Sequence, residues 1–67
     1  MNRYKLRVFP GNQVYLETVT AQYYDRNEYR FTFFNIDEDN KKTIISSYPS
    51  NVVIIESIQY NIKEDTI

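Results

Sequence analysis

Glu28-Tyr29-Arg30-Phe31-Thr32-Phe33-Phe34 is the stretch that decides the fold. In an extended chain Tyr29, Phe31 and Phe33 share one side and Arg30, Thr32 and Phe34 the other. This period of two, carried by aromatic and β-branched residues, reads as a strand with one face in a core. Just upstream, Asp25-Arg26-Asn27 is a polar tip between two aromatic runs. It predicts a hairpin loop with Asn27 at positive φ.

Working back, Gln13 to about Tyr24 contains no breaker. Val14 and Leu16 are in phase, but Val19, Ala21 and Tyr23 take the opposite parity. One extra residue near Glu17-Thr18 would produce that switch, so a β-bulge or sharp bend is expected there. Arg3 to Phe9 alternates again, with Tyr4, Leu6 and Val8 opposite Arg3, Lys5 and Arg7. Pro10-Gly11 then reads as a type II turn, proline at i+1 and glycine at i+2.

Working forward, Asn35 to Asn40 is an acidic loop and Lys41 to Tyr48 a fourth strand centred on Ile44 and Ile45. Tyr48-Pro49-Ser50-Asn51 breaks it, and Val52 to Ile58 is a fifth strand. The expected fold is all-β, a small five-stranded barrel or half-open β-sandwich with no substantial helix. Residues 1–58 form the single domain; 59–67 are a tail, either frayed or docked through Tyr60 and Ile62. The alternation places Leu6, Val19, Ala21, Phe31, Phe33, Ile45, Val53 and Ile55 in the core.

Composition narrows the chemistry. The 67 residues include no cysteine, no histidine and one glycine. Disulfides, thiolate or imidazole metal sites and glycine-rich phosphate loops are therefore excluded. No serine has a histidine to activate it, so the chain reads as non-catalytic, with no cofactor. Asp37-Glu38-Asp39-Asn40 lacks the calcium-loop pattern and reads as a solvated loop. A domain this small usually needs a staple, and oligomerisation is the one that remains. No apolar stretch follows the basic start at Arg3 and Lys5, and the longest apolar run, Val52 to Ile55, is far short of a membrane helix. The expectation is a cytoplasmic protein with no membrane contact.

Two surfaces are candidates for partners. Val52-Val53-Ile54-Ile55 is apolar on both faces of a strand; with Val53 and Ile55 inward, Ile54 needs cover from the tail or from a second chain. Seven tyrosines exceed what a core this small holds with hydroxyls satisfied, and tyrosine is enriched at protein interfaces. Ile54, Ile58, Tyr24, Tyr48 and Tyr60 are thus the expected partner-binding residues, for a protein partner and for a homodimer. The alternative is a nucleic-acid interface: Arg3, Lys5 and Arg7 on one strand face, with Arg30, Phe9 and Tyr15 near them, would follow a phosphate backbone and stack bases. The net charge of −1 gives that alternative no global field.

The order of elements, with a long bent second strand and a one-turn break before a short apolar last strand, resembles SH3-like barrels. Lys42-Thr43-Ile44-Ile45-Ser46-Ser47-Tyr48-Pro49-Ser50-Asn51-Val52-Val53-Ile54-Ile55-Glu56 is similar to the C-terminal half of small SH3-like proteins encoded by phages and mobile elements of Gram-positive bacteria. The likeness extends over the last two-thirds of the chain and carries no catalytic signature. It implies a five-stranded barrel with a 3₁₀ turn between its last two strands. It also implies an inhibitor or regulator that acts by contact on a host protein, for example one of a defence system.

Overall fold

A computed structural model describes residues 1–62. Six strands run in the order β1 (Asn2–Val8), β2 (Tyr15–Ala21), β3 (Tyr23–Arg26), β4 (Arg30–Ile36), β5 (Lys42–Pro49) and β6 (Val53–Gln59), with a 3₁₀ turn at Ser50–Val52 before the last. They form two antiparallel three-stranded sheets, ordered β2-β1-β6 and β3-β4-β5. No ladder closes the two sheets into a barrel among the described residues.

The long second strand is split. β2 belongs to the first sheet and β3 to the second, and the chain crosses between them at Gln22. A bent backbone must find new hydrogen-bond partners, and Gln22 has them on three sides. Its N–H donates to Asn35 Oδ1 (2.7 Å), its carbonyl accepts from Asn2 Nδ2 (3.2 Å), and its Oε1 accepts from the Ile36 N–H (2.7 Å). The bulge expected at Glu17-Thr18 is not there: β2 pairs with β1 in unbroken register from Tyr15 to Ala21. Val14 and Leu16 broke the alternation because they face solvent, not because the backbone shifts. The irregularities lie elsewhere. Glu56 is the extra residue where β6 passes Lys5 and Leu6, and Ile45 is the extra one where β5 passes Phe33 and Phe34.

Three turns have their own chemistry. Gly11 sits at the first central position of Pro10–Gln13, one place earlier than a type II turn would put it, with φ +62°. That is the φ pattern of a II′ turn. Asn27 is not at positive φ; its Oδ1 instead accepts from the Tyr29 and Arg30 N–H groups, both at 2.8 Å. Tyr29 consequently lies in the hairpin loop rather than on the strand face predicted for it. In the β4–β5 loop the residue at positive φ is Asn40, and Asp37 Oδ1 accepts from the Asp39 and Lys41 N–H groups.

The core lies between the sheets: Tyr4, Leu6 and Val8 from β1, Val19 and Ala21 from β2, Phe31 and Phe33 from β4, and Val53 from β6. Tyr48, Ile55 and Ile58 pack around it, half-buried. Ile45, expected inside, is exposed because the β5 bulge carries it out of the alternation. Tyr4 and Phe33 meet ring to ring at 5.0 Å across the two sheets, and Phe31 stacks on Phe33 at 5.2 Å. The buried Tyr4 hydroxyl accepts from Asn2 Nδ2. Ser50, a buried polar residue, ties the 3₁₀ turn to the β3–β4 hairpin: its Oγ donates to the Asn27 carbonyl (2.6 Å) and its N–H to the Tyr29 carbonyl (3.1 Å).

Phe33→Ala is expected to cost about 3–5 kcal/mol and to leave the chain largely unfolded in a circular-dichroism melt. Leu16→Ala, at a residue 77% exposed, should stay within about 0.5 kcal/mol of wild type. Equal effects would mean the core has been placed on the wrong face.

Candidate functional site

The outer faces of the two sheets differ in chemistry. On the first sheet, Arg3, Lys5 and Arg7 project from β1, the central strand, between Leu16, Thr18 and Thr20 of β2 and Ile54, Ser57 and Gln59 of β6. Glu56, the bulged residue of β6, forms an ion pair with Arg7. Among the described residues Arg3 and Lys5 have no acidic partner. A shallow groove of about 410 Å³ is lined here by Lys5, Arg7, Leu16 and Thr18, with Leu6 and the acids Glu17 and Glu56.

On the second sheet the outward residues include Tyr23, Phe34, Ile36 and Ile44. Tyr23 and Ile44 are each 52% exposed and Ile36 37%. Tyr23 lies 5.7 Å from Phe34, and Lys42 Nζ sits 4.1 Å over the Phe34 ring, a cation–π contact. This apolar patch was not expected from the sequence. Its one signal there is Phe34, an aromatic residue on the face opposite the core-facing Phe31 and Phe33.

The partner residues expected from sequence are distributed over several places. Tyr24 and Ile54 come together at the open seam between β3 and β6, in a shallow groove with Arg26, Phe31 and Ile55. There Tyr24 stacks on Phe31 at 5.5 Å and meets Tyr4 edge-on. Ile58 pairs with Tyr4 and packs inward against the core. Tyr48 is half-buried between the sheets, its hydroxyl donating to Glu17 Oε2 at 2.6 Å. Tyr60 is exposed beyond β6, and the chain after it is held at the N-terminus, where the Asn61 N–H donates to Asn2 Oδ1 and the Ile62 N–H to the Met1 carbonyl. Ile54 pairs with Arg7, at the other end of β1 from Asn2, so the tail to Ile62 runs away from it. Residues 63–67 of the expected tail lie outside the described residues.

The basic residues divide as well. Arg3, Lys5 and Arg7 share a face as expected, but Arg30 opens β4 on the second sheet, where its Nε donates to Ser47 Oγ. Tyr15 pairs with Val8 and so has the inner-face parity. No aromatic ring is among the outward residues of β2, β1 and β6; Phe9 and Tyr60 lie just beyond the strand ends. The face therefore has charge for a phosphate backbone but no stacking platform within its strands.

No helix among the described residues is long and apolar enough to cross a membrane. No protein family, curated protein or solved structure matches the chain. The assignment of function accordingly rests on these surfaces.

Among the described residues Tyr48 is the one titratable group clearly displaced. Burial, then the hydrogen bond and charge of Glu17, hold its hydroxyl above the ordinary value of 10.0. A raised folded value means the neutral phenol favours the folded state. That contribution is complete below about pH 10 and is lost as pH rises through the folded value. Tyr48→Phe is expected to cost about 0.5–1 kcal/mol at neutral pH, in urea unfolding, through loss of the hydrogen bond. The difference from wild type should close as pH is raised above about 10. A constant difference would mean Tyr48 acts through packing alone.

Proposed function

We propose that the chain is a non-catalytic protein-binding module that works by surface contact and self-associates as a homodimer. The observation that carries the proposal is the outer face of the second sheet, where exposed Tyr23, Ile36 and Ile44 surround half-buried Phe34 on a very small domain. Contiguous exposed apolar surface of this kind marks interaction sites. A two-fold dimer that covers about 200 Å² of it gains roughly 5 kcal/mol before association costs. Neither sheet needs to reorganise for this, since the core is complete without the patch.

The finer reading is an SH3-like domain. It is supported by the strand order, by the second strand divided between the two sheets, and by the single 3₁₀ turn between β5 and β6. The likeness of residues 42–56 to small phage and mobile-element proteins extends the proposal to a cytoplasmic inhibitor or regulator of a host protein.

Sedimentation velocity over a concentration series tests the self-association. The account expects a dimer for wild type and a monomer for Ile44→Lys, with the β-type circular-dichroism spectrum of the variant kept because Ile44 lies outside the core and its melting temperature lowered by loss of the dimer. A wild-type monomer at high micromolar concentration would remove the dimer, and an unchanged dimer in Ile44→Lys would move it off this face.

A further inference from the structure

We propose that the outer face of the first sheet docks an extended acidic segment of a partner protein, with Arg3 and Lys5 as the charge anchors. The inference rests on the protein-binding reading and adds a second surface with its own partner chemistry. Three observations carry it.

The first is segregation of charge. Three of the chain's eight basic residues stand in one row on the central strand of this sheet. Their cross-strand neighbours, Thr18, Thr20, Ser57 and Gln59, are uncharged hydrogen-bonding residues. Alternate residues on a strand are roughly 6.7 Å apart, and acids at every second position of an extended peptide repeat at the same spacing. A segment of that pattern meets each base with one carboxylate while its own backbone lies beside hydroxyl and amide groups.

The second is that a carboxylate already occupies the face. The bulge in β6 directs Glu56 onto Arg7, so the chain itself supplies the acid for one of the three bases, and among the described residues the other two have none. Glu56 is thus a competitor for the incoming segment at Arg7. The third is the change of character along the row. Leu16 and Ile54 pair with Arg7 from either side and are 77% and 43% exposed. The segment that fits has acids toward the Arg3 end and an apolar side chain at the Arg7 end. A nucleic-acid strand would satisfy the charges, but it would find no ring to stack on within the strands and no use for the two aliphatic residues.

The test is an NMR titration of isotope-labelled full-length protein with a short peptide of alternating aspartate and serine ending in leucine. A lysine–serine peptide and an oligothymidylate of matched length are the comparison ligands. Amide shifts are expected on Arg3, Lys5, Thr18, Thr20 and Ser57 with the acidic peptide only. The double variant Arg3→Ser/Lys5→Ser, whose side chains are exposed and outside the core, should weaken binding about fivefold, in line with two exposed ion pairs. Glu56→Gln should strengthen it about twofold by releasing Arg7. The proposal is overturned if the acidic peptide shifts none of these amides, if the lysine peptide shifts them equally, or if either variant leaves the affinity unchanged. Tighter binding of oligothymidylate than of the peptide at this face would overturn it in favour of a nucleic-acid surface. Sedimentation of the same samples separates the two claims. A persistent dimer with no peptide shifts removes only this inference, and peptide shifts on a monomer remove only the self-association.

Discussion

The two sheets have no hydrogen-bond ladder in common, so side chains must hold them together. The contact on which this depends is Tyr4 against Phe33, one ring from the central strand of each sheet, at 5.0 Å. Around it Leu6, Val19 and Val53 of the first sheet close on Phe31 of the second, and Tyr24 caps the group edge-on. Burial of apolar area is non-directional. The relative position of the sheets is therefore fixed by two covalent crossings, and both have dedicated polar partners. Gln22 is held by Asn2, Asn35 and Ile36, and the 3₁₀ turn is held by Ser50 on the hairpin tip. Each crossing satisfies backbone groups that a bend would otherwise leave unpaired.

The proposed function rests on the outer faces of the two sheets. The sequence uses the two faces differently. One carries a basic row with aliphatic residues at one end; the other carries an aromatic and aliphatic patch. The chain has no cysteine and no histidine, so the second chain proposed for the apolar patch would supply stabilisation that disulfides and imidazole metal sites cannot.

Much of the fold was legible in the sequence because it depends on parity. Arg3 to Val8 and Phe31 to Phe34 alternate cleanly, and six of the eight residues expected in the core, including Leu6, Phe33 and Val53, are buried. The misplacements have a common origin in residues whose alternation is local but whose exposure is set elsewhere. Val14 and Leu16 look like an inward pair, yet Leu16 pairs with Arg7 on the outer face of the first sheet and both side chains face water. Ile45 and Glu56 are displaced by bulges that only strand pairing reveals, and the break at Gln22 leaves no mark in composition. The surfaces were less legible. Arg3, Lys5 and Arg7 could be grouped because they lie on one strand. Tyr23, Phe34 and Ile44 come from three strands, and nothing short of the register brings them together.

Native-state hydrogen exchange on β1 and β4 tests most directly whether one shared core unites the two sheets. If interlocking of Tyr4 and Phe33 is what holds them, the slowest amides of both strands open only with the whole molecule. They should then give one free energy, equal to that of global unfolding. Two distinct opening free energies, with β1 still protected after β4 has exchanged, would show sheets that are stable separately and would contradict the account.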